Sequence, residues 1–311
     1  MRIVFMGTAA FAVPSLKALR AAGHDIPLVV CQPDRPKGRG QALQAPALKL
    51  AAQEMGLELF QPEKVRQEGA VERIREAACD ALCVVAYGQI LPLELLQAPR
   101  LMALNLHASL LPKYRGAAPI EWALAMGENE TGVCVQKMAL KMDAGDVLMS
   151  AALPLGPEDD APSVTPRLSE MGAALLVEAL QSLEKGSPPL HPQDEALVSY
   201  APLLKKSHGA IDYGLSSAEL LNRFRGFKAR PGFYSALAGT TLRIHRLSQG
   251  DEEGAPGVVM ALGAKGLQVG CKGGSVWLEE IQSPGGKPMP AADWARGHRV
   301  SPGEVLETPV Q

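Results

Sequence analysis

Cysteine is sparse and scattered along this chain of 311 residues. Its five thiols, Cys31, Cys79, Cys83, Cys134 and Cys271, form no Cys-x-x-Cys pair and no tight cluster with histidine. An odd, dispersed set argues against a disulfide framework and a structural zinc site, and for a reducing compartment, so we expect no metal. No secretory leader is expected either, because one Arg and an apolar run of only four residues, 3–6, lead into Gly7-Thr8. The longest apolar stretch, 81–96, is interrupted by Gly88, Pro92 and Glu94, too broken for a membrane span. A cytoplasmic protein without a membrane partner is the expectation. The formal net charge is only −2, and 47% hydrophobic with 21% charged residues is the balance of an ordinary globular chain. Gly7-Thr8 lacks the Gly-x-Gly-x-x-Gly spacing of a dinucleotide site and reads as a tight strand-to-helix turn.

What is present reads as two domains, since the length exceeds one typical core. Strand-like runs at 3–6, 26–31, 57–60, 81–86 and 101–106 alternate with helical patterns at 15–22, 47–55, 65–77 and 120–126. Such alternation implies an α/β, Rossmann-like, mostly parallel sheet covered by helices. Ligands in such sheets bind beyond the carboxyl ends of the strands, where Gly7, Tyr87 and His107 fall. Antiparallel strands at 131–138 and 147–155 and a helix at 165–183 follow, and Gly186, Pro188 and Pro189 stop that helix. We therefore expect a first domain at 1–187, a linker at 188–206 and a second domain at 207–311. The second carries a helical pattern at 218–227 and five short strands at 233–237, 241–247, 257–262, 267–271 and 276–281. Gly-rich turns separate the strands, as in a small barrel or sandwich. Residues 205–311 hold thirteen basic against ten acidic side chains, whereas the first 204 hold eighteen against twenty-three. The asymmetry suits a C-terminal domain that meets a polyanion, with Arg223, Arg225, Lys228 and Arg230 the densest cluster.

Asn105 and His107 stand two apart at the end of the run 101–106, so strand alternation puts both side chains on one face. An amide donor beside an imidazole suits a reaction in which a carbonyl becomes an oxyanion. Asp143, in Met142-Asp143-Ala144-Gly145-Asp146, is the candidate third member, orienting the imidazole or favouring its charged form. On spacing alone, a core histidine and a turn-forming aspartate account for the same residues.

The blocks Leu104-Asn105-Leu106-His107-Ala108-Ser109-Leu110-Leu111-Pro112-Lys113-Tyr114-Arg115-Gly116 and Met142-Asp143-Ala144-Gly145-Asp146 are accompanied by others in one order. These are Arg2-Ile3-Val4-Phe5-Met6-Gly7-Thr8, Gln32-Pro33-Asp34-Arg35-Pro36-Lys37-Gly38-Arg39-Gly40, Val84-Val85-Ala86-Tyr87-Gly88-Gln89-Ile90-Leu91-Pro92, and Pro284-Gly285-Gly286-Lys287-Pro288-Met289 with Asp293-Trp294. Over nearly its whole length the chain resembles the methionyl-tRNA formyltransferases, among the enzymes that take a formyl group from 10-formyltetrahydrofolate. The resemblance implies a formyltransferase fold, an OB-like C-terminal barrel, 10-formyltetrahydrofolate as co-substrate, initiator methionyl-tRNA as partner, and Asn105, His107 and Asp143 as catalytic residues. Two blocks depart from the pattern, at Ala9-Ala10 and at Lys228-Ala229-Arg230.

For the folate and formyl pocket we expect Val85, Tyr87, Gly88, Gln89, Ile90, Leu91 and Met138, with Ser109, Leu110, Leu111 and Pro112 shaping the turn that leaves His107. The loop 32–44 is longer than a strand-to-helix turn needs and sits at the ligand edge, so Arg35, Lys37 and Arg39 are expected to meet tRNA beside the C-terminal cluster. The resemblance places that loop in the major groove of the acceptor stem, with Arg39 making the contact. We expect a monomer. Two other functions fit parts of the pattern: a folate-dependent formyltransferase acting on an amino-sugar nucleotide or other small amine, and a non-catalytic RNA-binding module.

Overall fold

The computed structural model describes residues 1–37, 42–186 and 188–308, with the backbone alone for Lys37. Its contacts divide into two units. The first takes Met1–Pro119, Glu130–Pro154 and Val164–Ala201, and the second takes Ile120–Asn129, Leu155–Ser163 and Pro202–Gln311.

Strands of the first unit are β1 (Arg2–Gly7), β2 (Asp25–Val30), β3 (Arg35–Lys37), β4 (Ala42–Gln44), β5 (Leu59–Phe60), β6 (Ala81–Val85), β7 (Met102–His107), β8 (Arg115–Gly116), β9 (Glu130–Lys137), β10 (Val147–Pro154) and β11 (Tyr200–Ala201). The helices of the chain are α1 (Val13–Ala21), α2 (Ala47–Glu54), α3 (Glu68–Arg75), α4 (Leu93–Leu96), α5 (Pro119–Ala125), α6 (Ala161–Lys185), α7 (Ser217–Phe227) and α8 (Ala291–His298). The main sheet runs β10-β9-β7-β6-β1-β2-β5. Its five members from β7 to β5 are parallel, and β9 and β10 extend the edge antiparallel. Every residue of β6 is buried, which is why a parallel strand covered on both faces reads as an unbroken apolar run. Strand order reverses between β1 and β6, the switch point of such sheets. Gly7 ends β1 there, where a Cβ would lie 2.8 Å from the Val85 carbonyl oxygen and from the Ala12 methyl. Helix α6 lies over the face that carries Leu106, against which a Cβ at Gly172 would come within 2.7 Å. Asn105 and His107 therefore point to the other face.

Some boundaries differ from expectation. The strand expected at 57–60 keeps only Leu59–Phe60. The helix expected from 65 begins at Glu68, and the Val65 N–H donates to the Gln89 side chain at 2.9 Å. Helix α6 starts four residues before 165. There Asp160 accepts from the Ser163 N–H at 2.9 Å, and the Ser163 hydroxyl accepts from the Asp160 N–H at 3.0 Å, a reciprocal cap. Within the expected loop 32–44, β3 and β4 pair as an antiparallel ribbon with Arg35 opposite Gln44. Asp34 anchors its base by accepting from Lys49 at 2.8 Å and Gln61 at 3.0 Å, and the Lys49 ammonium foremost holds that carboxyl below its ordinary range. No helix among the described residues is long and apolar enough to cross a membrane.

The second unit contains β12 (Tyr234–Leu237), β13 (Thr240–Gly250), β14 (Val259–Gly263), β15 (Gly266–Cys271), β16 (Gly274–Gln282), β17 (Met289–Pro290) and β18 (Leu306–Glu307). They form one curled antiparallel half-barrel in the order β14-β15-β16-β13-β12-β18, with β17 beside β16. Its core gathers Phe233, Leu242, Ile244, Val269, Leu278 and Trp294. Helix α7 opens with a capping box in which Ser216 and Glu219 each bond the other's backbone N–H.

Candidate active site

Strand pairing brings a polar row to one face of the sheet. Asn105 is flanked in register by Val84 of β6 and Gln136 of β9, and His107 by Cys134. Directly opposed residues of an antiparallel pair hold their side chains together, so the Asn105 and Gln136 amides stand side by side. The connection from β9 to β10 then returns Asp143 to this row. The Asp143 carboxylate accepts from the Gly116 N–H at 2.9 Å, from Gln136 Nε2 at 3.1 Å and from Asn105 Nδ2 at 3.5 Å. His107 Nδ1 lies 3.7 Å from the same carboxylate, within ion-pair range and beyond a hydrogen bond.

The other imidazole nitrogen fixes the tautomer. His107 Nε2 is 2.9 Å from the Tyr114 carbonyl oxygen, which can only accept, so Nε2 carries its proton and Nδ1 faces Asp143. Tyr114 and Asp143 are both non-glycine residues at positive φ, 60° and 50°. Such backbone conformations cost on the order of 1 kcal/mol and persist where surrounding bonds hold them. Both His107 and Asp143 are largely withdrawn from water, at 7% and 14% side-chain exposure. A charge that develops here is poorly screened.

Two sets of expected pocket residues frame this row. Ser109 is buried and donates to the Lys113 carbonyl at 2.6 Å, closing the turn after His107. Leu110 packs against Gly132, and the Leu111 N–H donates to the Cys134 sulfur at 3.4 Å. Leu111 and Pro112 line a cavity of about 320 Å³ together with Val147, Met149, His191 and Gln193. In the second set, Tyr87, Leu91 and Met138 belong to one apolar cluster, and Val85 is fully buried. The Tyr87 carbonyl is engaged by Thr8 at 2.8 Å and Gln32 at 2.9 Å. Gly88 at φ +85 has the Gln32 amide where a Cβ would lie, and Gln89 bonds the backbone of Glu63 and Val65. Of this set only Ile90, at 82% exposure, presents an apolar side chain to solvent. Leu140 and Met142, on the loop that carries Asp143, are likewise uncovered.

Residues 1–180 match the family described as formyl transferase, and residues 203–299 match the formyl transferase C-terminal domain. The chain is 45% identical over 306 residues to the methionyl-tRNA formyltransferase of Geobacter sulfurreducens, covering 98% of this chain and 96% of that one. It is 46% identical over 307 residues to that of Acidobacterium capsulatum, at 97% and 98% coverage. The chain belongs to the methionyl-tRNA formyltransferase family. It is a formyltransferase by that membership, and the fold agrees. HypX from Aquifex aeolicus in complex with tetrahydrofolic acid aligns with a TM-score of 0.63 at 19% identity, over 98% of this chain and 48% of that one, so the chain spans about half of HypX. The N-formyltransferase from Helicobacter canadensis, in complex with folinic acid and dTDP-3-aminofucose, aligns with a TM-score of 0.64 at 16% identity, over 90% and 98%.

The basic residues expected at a formyltransferase's RNA surface are placed unevenly. Arg35 is exposed and pairs with Glu63 at 2.8 Å. Lys37 lies in β3, its side chain outside the described residues, and Arg39 lies outside them altogether. In the second unit, Arg225 spends its guanidinium on the Asp159 and Gly156 carbonyls at 2.6 and 2.9 Å and on Asn222 at 3.2 Å. Lys228 pairs with Asp160 at 2.5 Å and stands 5.4 Å over the Phe224 ring. Arg230 is mostly exposed, 3.9 Å from Glu121, and Arg223 is half-buried on α7. Sequence reasoning missed Gln136, Arg115, Gln193 and the Gly116 N–H. A lone Gln in the apolar run of β9 was the one local signal, because a polar side chain in such a run faces either solvent or a partner.

Proposed function

We propose that the enzyme transfers the formyl group of 10-formyltetrahydrofolate to the α-amine of methionyl-initiator tRNA in the cytoplasm. The observation that carries this reading is the convergence of Asn105, His107 and Asp143 on one polar row, in a chain 43–46% identical to methionyl-tRNA formyltransferases along almost its full length. Ile90, Leu140 and Met142, uncovered on the loops 88–91 and 138–146, are the apolar surfaces that would seat a flat heteroaromatic ring. Residues 207–311 and the 32–44 segment would hold the tRNA, with Arg35, Lys37, Arg39, Arg223 and Arg230 meeting phosphates. Arg225 and Lys228 would act less directly, shaping the turn 156–160.

Chemistry follows from the donors. The neutral α-amine attacks the formyl carbon, and the carbonyl oxygen gains charge. Asn105 Nδ2, held only loosely by Asp143 at 3.5 Å, is free to turn its N–H to that oxygen. His107 donates from Nδ1 when protonated, since Nε2 is committed to Tyr114. The Asp143 carboxylate, 3.7 Å from Nδ1, faces positive charge that develops on the ring, and apo distances of this kind tighten when a substrate is bound. Collapse returns the carbonyl and expels the folate nitrogen, with His107 Nδ1 and the Asp143 carboxylate the groups placed to pass the proton from amine to leaving group. The test is formyl transfer from 10-formyltetrahydrofolate to charged initiator tRNA, run beside uncharged tRNA and an amino-sugar nucleotide. Formylation of the charged tRNA alone is expected. Transfer only to the sugar amine would overturn the acceptor, and no transfer to any of them would overturn the reaction.

A further inference from the structure

The segment after α6 reads in sequence as a linker, and residues 191–201 are bonded to the rest of the first unit at both ends and through Gln193 and Glu195. His191 and Val147 exchange both backbone bonds at 2.9 Å, and β11 pairs in parallel with β8. Between these anchors Gln193 reaches the turn that carries Asp143. Its Nε2 donates to the Asp143 carbonyl at 2.8 Å and the Gly145 carbonyl at 2.7 Å. Its Oε1 accepts from Arg115 Nε at 2.9 Å and Arg115 Nη2 at 2.8 Å. A guanidinium offers only donors and carbonyls only accept, so the orientation of this amide is dictated from both ends.

Arg115 is completely buried, and its Nη2 also meets Glu195 at 2.8 Å. Glu195 in turn holds Lys141, on the loop before Asp143, at 2.8 Å. The residue after Arg115 supplies the Gly116 N–H to the Asp143 carboxylate. Nearby, the Ser199 hydroxyl accepts from the Tyr114 N–H at 2.9 Å, and the Tyr114 carbonyl fixes His107. Both the carboxylate and the imidazole thus rest on backbone that the strap 191–201 secures.

We infer that Gln193 is a positioning residue for Asp143, and that the strap holds it at the site through the two Arg115 N–H groups that its Oε1 accepts. The inference rests on the reading of Asp143 as a catalytic group. Asp143 sits at φ +50, and the two carbonyls flanking Ala144 are where its turn would relax if released. One amide that spans both carbonyls keeps the carboxylate aimed at His107.

Two full-length variants separate this role from mere packing. In Gln193→Glu, one carboxylate oxygen keeps the Arg115 contact, now as an ion pair, while the other opposes the Asp143 and Gly145 carbonyls. The strap stays anchored and the turn is repelled. Gln193→Leu removes both contacts at similar volume. With wild-type formyl transfer to charged initiator tRNA as reference, kcat should fall on the order of a hundredfold in Gln193→Glu, the cost of a misplacement near 1 Å. KM for both substrates should change less than about threefold, and the melting temperature should hold. In an Asp143→Ala background, either Gln193 substitution should add almost nothing to the loss, because the group it positions is gone. Near-normal kcat in folded Gln193→Glu or Gln193→Leu, or equal losses in both backgrounds, would overturn the inference. An inactive wild type would instead overturn the proposed reaction, and activity on another amine would move the same cycle to that acceptor.

Discussion

Replacing Asp143 with Asn removes one charge and leaves almost the same shape. In the parent, one carboxylate oxygen takes the Gly116 N–H at 2.9 Å, and the other takes the Gln136 amide at 3.1 Å and that of Asn105 at 3.5 Å. An Asn side chain must turn its NH2 toward one of these donors, leaving one group there without an acceptor, at a cost of about 1–3 kcal/mol in stability. The larger effect is on the reaction. A unit negative charge 3.7 Å from His107 Nδ1 interacts with positive charge that develops on the ring in the transition state by on the order of 4 kcal/mol at an effective dielectric of about 20. Loss of that interaction should lower kcat by about three decades, since each 1.36 kcal/mol is tenfold. The assay is single-turnover formyl transfer with both substrates saturating, beside a thermal melt and the KM for methionyl-tRNA. We expect a large loss in kcat, KM within a few fold and a modest fall in melting temperature. A folded Asp143→Asn enzyme with kcat within tenfold of the parent would refute the role assigned to this charge.

Gly145→Ala should cost both stability and turnover, since its Cβ would fall 1.7 Å from the Lys137 carbonyl and the turn must shift; urea unfolding should register a loss of about 1–3 kcal/mol, and an unchanged midpoint would contradict the packing. All five cysteines are buried, and burial pushes the Cys31 and Cys134 thiols up to about 11, so both stay protonated at neutral pH. A thiol reagent at pH 8 should therefore modify the native enzyme only as fast as it opens, and rapid labelling of any thiol would disprove this. Hydrogen bonds from Arg115 and then Lys141 lower the Glu195 carboxyl from 4.5 to about 2. A depressed acid stabilises the fold above its unfolded pKa, so this contribution is complete above pH 4.5 and is lost as pH falls toward 2. Glu195→Gln should flatten that limb of the stability profile, and an unaltered acid limb would refute the linkage.

The parallel sheet was legible because buried parallel strands announce themselves as short apolar runs, and Asn105 with His107 because two-residue spacing on a strand fixes a shared face. Asp143 was legible only through its motif, as nothing near it in sequence points to a strand 38 residues away. The supports of the site were hidden for the same reason. Arg115 meets Gln193 across 78 residues, and neither residue type is unusual in a loop. Charge counting singled out Arg225 and Lys228 by their sign, and it cannot see the carbonyls at 156 and 159 or the carboxylate at 160 to which they are bonded. The ribbon of β3 and β4 escaped notice because Pro and Gly weaken strand signals even where the backbone pairs.

What these buried contacts have in common is direction. Asp143 is bonded through its carboxylate by backbone and two amides, and through its carbonyl by Gln193, so every neighbour but His107 is a neutral donor. Neutral donors stabilise a carboxylate without cancelling its charge. The buried cation Arg115 is kept one residue removed, its charge met by Glu195 while its geometry is relayed through Gln193. Had Arg115 bonded Asp143 directly, the ion pair would have steadied the carboxylate and cancelled the charge that the proposed mechanism sets against His107. Routing the cation through an amide gives the position without the neutralisation, and it requires a third segment to supply the amide. A stretch spelled like a linker is, on this argument, folded against the catalytic unit because the site's electrostatics leave the cation nowhere nearer to stand.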